Sequence, residues 1–150
     1  MGYYFKTYCT LPEDAIFIRE SVFMEEQGFA HEFDEKDAKA KHIVLYNEQG
    51  RPVATCRYFP GEEDACYIVG RIAVLKEFRG KRYGQLILRE AQRQVKAAGA
   101  EEICLAAQVR AARFYKKMGF SAVGDEFQEE HCPHVWMRKK LKRHADTLSE

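Results

Sequence analysis

The segment from Cys66 to Ala107 constrains the fold more than any other part of the chain. It opens with CYIVGRIAVL, the longest β-favouring run, and continues through a loop, EFRGKRYGQ, into a helical stripe. Over residues 84–98, Leu88, Ala91 and Val95 recur on one face opposite Arg89, Arg93 and Lys96, and Gly99 supplies a stop. Ile103–Ala107 is then a short buried strand. Strand, helix and strand in that order predict a parallel crossover. Gly70, in the middle of the first strand, is expected to mark a bulge or the close approach of another backbone or a ligand.

The flanking segments predict hairpins and one earlier helix. Residues 3–8, YYFKTY, suit a first strand. Thr10, Pro12 and Glu13 form a capping-box pattern, from which a helix runs to about Gln27 and stops at Gly28. That helix is expected to bury some of Ile16, Phe17, Val22 and Phe23. Residues 29–41 are acid-rich and irregular. His42–Tyr46 and Pro52–Tyr58 are joined by Asn47-Glu48-Gln49-Gly50 as a hairpin. A second short helix covers Ala111–Met118, stopped by Gly119, and strands near 120–127 and 134–139 follow. The order β-α-β-β-β-α-β-α-β-β predicts an α/β domain with a mixed, mostly antiparallel central sheet and helices on its faces. Residues 1–140 are expected to form one domain, with 141–150 as a polar tail.

Composition removes several function classes. A chain of 150 residues is long enough to bury about 70% of its unfolded surface. A net charge of +1 argues against a nucleic-acid footprint, which is usually strongly basic. No apolar run approaches the roughly 20 residues that span a bilayer. The N-terminus lacks the pattern of a secretory leader, and Lys6 stands where a myristoylation signal needs Ser or Thr. Five cysteines with no Cys-x-x-Cys pair fit reduced thiols and a cytoplasmic protein.

The loop at 77–85 reads from its residues either as an anion-binding loop or as a solvated basic turn. A helix N-terminus exposes unpaired N–H groups and partial positive charge. Gly80 and Gly84 let the backbone approach an anion, and Arg79, Lys81 and Arg82 add charge. The run RIAVLKEFRGKRYGQLILREA resembles the acyl-CoA segment of the GNAT superfamily of N-acyltransferases, Gln/Arg-x-x-Gly-x-Gly/Ala. Arg79 and Gly84 match that pattern; Arg82 departs from the middle glycine. Downstream, QVRAARFYKKMGF resembles the second half of the signature, with Ala111, Phe114, Tyr115, Gly119 and Phe120 matching and Gln108 in place of an asparagine. Arg19–Gln27, RESVFMEEQ, followed by Glu32, Asp34, Asp37 and His42 and a late CPHVWM, resembles the ElaA/YjcF-like branch.

The resemblance implies a sheet whose central parallel pair splays apart, and transfer of an acetyl group from acetyl-CoA to an amine. Residues 79–84, including Tyr83, would bind pyrophosphate through backbone amides, with Gln108 and Phe114 also on the cofactor side. The strand end Ile72-Ala73-Val74 would pair with the pantetheine arm. Tyr115 would protonate the departing thiolate. Glu26 and His134 are the candidates for the acceptor side of the chemistry, with Glu25, Gln27, Glu32 and Asp34 attracting a small cationic amine. A protein lysine or N-terminus as acceptor, and a catalytically silent acyl-CoA-binding module, stay open, as does a homodimer. His131-Cys132-Pro133-His134 cannot easily converge on one ion, so no metal is expected. Cys104 reads as a packing residue, and Arg138–Lys140 with Lys142 and Arg143 as a solvated basic terminus.

Overall fold

The computed structural model describes residues 2–141; the expected polar tail, apart from Leu141, lies outside them. The element order is β1 (Tyr4–Tyr8), α1 (Glu13–Arg19), a π-helical continuation (Glu20–Glu26), a 3-10 turn (Glu35–Ala38), β2 (Lys41–Tyr46), β3 (Pro52–Pro60), β4 (Cys66–Val74), a 3-10 turn (Lys76–Phe78), α2 (Tyr83–Ala97), β5 (Glu102–Gln108), a 3-10 turn (Val109–Ala111), α3 (Ala112–Lys117), β6 (Ser121–Glu129) and β7 (Cys132–Lys140). The strands form one seven-stranded sheet in the order β1-β2-β3-β4-β5-β7-β6. β4 and β5 are parallel, while β1–β2, β2–β3, β5–β7 and β6–β7 are antiparallel. The parallel register pairs Cys66–Ile68 with Glu102–Cys104.

The chain divides into two compact units. One holds the described residues up to Phe59 with Val69–Ala91; the other holds Pro60–Ile68 and the described residues from Gln92 onward. In the first unit Ala15, Ile18, Val22 and Phe23 of the first helix pack with Val44, Tyr46, Ala73 and Leu75. Burial of each larger side chain among them, such as Ile18, Val22, Phe23, Val44 and Leu75, is worth about 1.5–3 kcal/mol. In the second unit Val95, Ile103, Leu105, Ala107, Phe120, Val135, Met137 and Leu141 are buried.

Three expectations are corrected. The capping box at Thr10 does not form: Pro12 is the N-cap, extended at φ −84° and ψ 158°, and its carbonyl accepts from Ile16 N–H at 3.0 Å. Leu11 precedes a proline and is disfavoured from helical dihedrals, so the helix starts only after Pro12. The helix reaches Glu26 as expected, but its second half is π-wound. Gly28, at φ +75°, ends it with Phe29 N–H donating to Phe23 O at 2.8 Å. Of the four apolar residues, some of which were expected to be buried, Val22 and Phe23 are, Ile16 is half-buried and Phe17 is exposed, while Arg19 takes an interior position beside Ile18.

The third concerns β4. A Cβ on Gly70 would meet nothing within 4 Å, so no protein group crowds it. The irregularity falls one residue later, at Arg71, whose φ is +51°. A left-handed non-glycine residue persists only where its surroundings hold it. Here the Arg71 guanidinium is tethered to Glu32 at 3.0 Å and to Asp34 at 3.4 Å.

Candidate active site

The first unit carries the loop. After β4 the chain tightens into Lys76–Phe78, with Leu75 N–H donating to Val53 O at 3.0 Å and Arg79 N–H to Lys76 O at 3.3 Å. Gly80 and Arg82 both take left-handed backbone, at φ +83° and +68°, before α2 begins. The first helical bond runs from Leu86 N–H to Arg82 O at 3.0 Å. Tyr83, Gly84 and Gln85 therefore stand in a first turn whose N–H groups have no carbonyl four residues back. No acidic residue occupies that turn to compete for them. Arg82 sits where the family pattern has glycine, and its left-handed φ shows why glycine suits the position. Replacing it separates backbone from charge: Arg82→Gly should be more stable than Arg82→Ala by about 1 kcal/mol in urea denaturation. Equal stability of the two variants would rule out strain at this residue.

The loop's cations are not equivalent. Arg79 makes a forked pair with Glu26, at 2.6 and 2.7 Å, and donates through Nε to Val74 O at 3.0 Å. Hydrogen bonding to Glu26 raises the Arg79 pKa further above its usual value. Thus Glu26, an acid at the C-terminal end of a helix where the dipole disfavours it, is matched by a cation of the loop. Lys81 lies 5.9 Å from the Phe78 ring centroid and Arg51 lies 4.9 Å from it. Lys81 and Arg82 are exposed, as is Glu25, while Gln27, Ile72, Val74 and Tyr83 are half-buried and Ala73 is buried.

Glu32 and Asp34 are drawn into a network with three arginines. Arg19, 1% exposed, donates to Glu32 Oε1 at 2.8 Å and to both oxygens of Asp37 at 2.9 and 3.1 Å. Arg57 donates to Asp34 at 2.6 and 3.1 Å and to Asp37 at 2.8 Å, and Arg71 bonds Glu32 and Asp34. His42 Nε2 lies 2.9 Å from Asp37 O. Three guanidinium groups thus meet three carboxylates. Burial pushes Glu32 up despite its arginines. For Asp37 burial acts the same way, but the hydrogen bonds and charges of Arg19 and Arg57 prevail and hold it down to about 2. Asp34, a third exposed, is lowered by Arg57 and Arg71 against the opposing effect of burial. Glu32 is interior, whereas Asp34 keeps a solvent-facing side. The acids stand out in the sequence, whereas Arg57 and Arg71 belong to no motif and Arg19 only opens RESVFMEEQ. The available signal was charge placed within apolar runs: Arg19 after AIFI, Arg57 within VATCRYF and Arg71 after IVG.

The second unit carries the other expected residues. Gln108, at the end of β5, accepts from Arg110 Nε at 2.7 Å and stands opposite His134 of β7 in the strand register. His134 is buried; its Nδ1 lies 2.9 Å from Cys132 O. A carbonyl only accepts, so Nδ1 carries the proton and Nε2, 3.7 Å from Glu129, is the nitrogen able to take another. Phe127 stacks against the imidazole at 5.9 Å and against Trp136 at 6.2 Å. Tyr115 is buried on α3, edge-on to Phe114 at 5.1 Å and to Phe120 at 6.0 Å. Gly119, at φ +97°, ends that helix, and Lys139 Nζ caps Met118 O at 2.8 Å. A Cβ at Gly119 would lie 3.0 Å from Lys139 Cε, so this glycine both turns the chain and admits the lysine.

A mixed seven-stranded sheet with one parallel pair joined through a helix is the acyl-CoA N-acyltransferase class of fold. The chain belongs to the acetyltransferase (GNAT) domain family, whose sequence model matches residues 13–141. It is 34% identical to the uncharacterized N-acetyltransferase YjcF of Bacillus subtilis, over 85% of this chain and 91% of that protein. A crystal structure from Lactobacillus plantarum matches with a TM-score of 0.87 at 28% identity, covering 95% of this chain and all of the other. Escherichia coli ElaA has the same fold, with a TM-score of 0.80 at 23% identity over 93% of this chain and 100% of ElaA. Membership of the family implies acyltransferase chemistry.

Proposed function

We propose that this protein transfers an acetyl group from acetyl-CoA to a primary amine of a small cationic acceptor, by direct attack in a ternary complex. The observation that carries the reading is the loop at residues 79–84. It combines two left-handed residues, an acid-free helix N-terminus and three basic side chains. Such a loop suits a pyrophosphate. A solved structure of the same fold, N-acetylglutamate synthase from Neisseria gonorrhoeae, is a complex with coenzyme A, at a TM-score of 0.71 and 15% identity.

In this reading the amides of Gly80 to Gly84 hold the pyrophosphate, and Lys81 and Arg82 add charge from the solvent side. Ile72, Ala73 and Val74 offer backbone groups to the pantetheine amides, and Gln108 and Phe114 complete the cofactor side. The amine lone pair attacks the thioester carbonyl carbon, forming the C–N bond. As the C–S bond breaks, the sulfur takes its proton from the Tyr115 hydroxyl, and the amine gives up one proton to a base. In this reading His134, through Nε2, is the base that accepts it. Glu26, held by Arg79, ties the end of the first helix to the cofactor loop. Glu25, Gln27 and the solvent-facing side of Asp34 bias the acceptor side toward a cation, with Glu32 behind them in the arginine network. A protein lysine or N-terminus would need an extended groove, and no observation favours one.

One specific observation favours a second reading, a silent acyl-CoA-binding module: Arg82 stands in the glycine position of the loop. The two readings separate when purified protein is given acetyl-CoA and a panel of amines while free thiol is followed. Amine-dependent thiol release is the expected result. Saturable CoA binding without turnover across the panel would support the silent module, and no affinity for CoA would overturn both.

A further inference from the structure

Cys66 and Cys104 face each other across the parallel pair, in the unit that contains Pro60–Ile68 and the chain from Gln92. The register sets Cys66 opposite Glu102 and Ile68 opposite Cys104, so the two thiols and the Glu102 carboxylate share one face of the sheet. The sulfurs are 3.5 Å apart, and Cys104 Sγ is 3.8 Å from Glu102 Oε1. One ligand atom from each of the three residues falls within a span of 4.8 Å. Cys66 is buried and Cys104 and Glu102 are half-buried, which leaves an open side.

We propose that Cys66, Cys104 and Glu102 form a binding site for a thiophilic divalent cation, Zn²⁺ by its chemistry, with water in the fourth position. The site is independent of the acyl-transfer reading. The distances match tetrahedral coordination. Two thiolates on zinc at about 2.3 Å lie about 3.8 Å apart, and a thiolate and a carboxylate oxygen about 3.6 Å. The observed separations differ from these by a few tenths of an ångström, so closing on an ion needs only small side-chain rotations. Two sulfurs and one oxygen favour zinc over magnesium or calcium, which prefer oxygen alone. Binding would displace the two thiol protons to solvent. Two thiolates and a carboxylate carry three negative charges, one more than the ion neutralises. The adjacent strand supplies the balance: Arg138 and Lys140 of β7 stand opposite Cys104 and Glu102, and Arg138 Nε is 3.5 Å from Glu102 Oε1. Arg138 would therefore orient the carboxylate as well as offset its charge.

A dithiol that simply oxidises is the competing chemistry. Burial, and then the contact with Cys104, pushes the Cys66 thiol up to about 12. Oxidation and metal binding both require the thiol proton to leave, so the two chemistries are separated by the metal-dependent band on the reduced protein.

The test uses the full chain, reduced and freed of metal, titrated with Co²⁺ as a spectroscopic probe and then with Zn²⁺. The expected result is a thiolate-to-cobalt charge-transfer band saturating at one ion per chain and abolished by Zn²⁺. Cys104→Ser and Cys66→Ser should each weaken binding by about 100-fold or more, and Glu102→Gln by about 10-fold. Circular dichroism checks that the cysteine variants are folded; Glu102→Gln, at a half-buried strand start, provides the reading should they not be. Cys9→Ser, at an exposed cysteine, should leave the band unchanged. No band on the reduced protein, a band that survives loss of Cys66 and Cys104, or one that follows Cys9 would overturn the proposal.

Discussion

Tyr115→Phe should lower turnover by about 100-fold or more while changing affinity for CoA by no more than about twofold. General acid catalysis contributes roughly 10²–10⁴-fold to such reactions, and the substitution removes only the oxygen that would supply the proton. The ring itself stays, and with it the edge-on contacts to Phe114 and Phe120 that position it. A fold defect would show as a fall in thermal midpoint and in CoA affinity together; the expected pattern is a loss in kcat alone. The comparison uses the amine that gives the strongest thiol release, with CoA binding measured by calorimetry on the same preparations. Turnover equal to that of the unaltered protein would remove Tyr115 from the acid role and move attention to water as the proton source.

The loop at residues 79–84 and the helix start after it were legible because their parts are local. A helix start, two glycines and a run of cations occupy consecutive positions, and the structure adds mainly that Arg82 takes the left-handed conformation that glycine supplies elsewhere. The crossover was legible for the same reason, since a long β-favouring run followed by a stripe of period 3.6 is written along the chain. The capping box at Thr10 misled because a local rule was read without its neighbour: Leu11 before Pro12 cannot take the first helical position. The π-winding of Glu20–Glu26 leaves no distinct pattern in apolar spacing over two turns.

Pairings that depend on register or tertiary placement were the least legible. Nothing along the chain says that Cys66 meets Cys104, because the meeting depends on which residues of β4 and β5 stand opposite each other. The acidic segment shows the same limit. Glu32, Asp34 and Asp37 read in sequence as a solvated or acceptor-facing run, and only the fold brings Arg19, Arg57 and Arg71 against them.

That network carries the largest expected effect on stability. Arg19→Ala should destabilise the protein by about 3–5 kcal/mol, because it leaves Glu32 and Asp37 in the interior without the guanidinium that binds both. Arg19→Lys keeps the charge but cannot make the forked contact, so it should fall between the two. The loss should depend on pH with a definite sign. Asp37, held down to about 2, contributes stability that is present above its ordinary value near 4 and is lost as pH falls through about 2. Glu32, raised by burial, works in the other sense: its ionisation opposes folding, and the opposition disappears as the pH falls and the group protonates. Arg19 favours the ionised form of both, so its removal is most damaging at neutral pH and least so below about pH 3. Urea denaturation of both proteins at pH 7, 5 and 3, compared at equal m-values, measures the difference directly. A loss below about 1 kcal/mol at pH 7, or one that grows as the pH falls, would mean that Arg57 and Arg71 carry the carboxylates without Arg19.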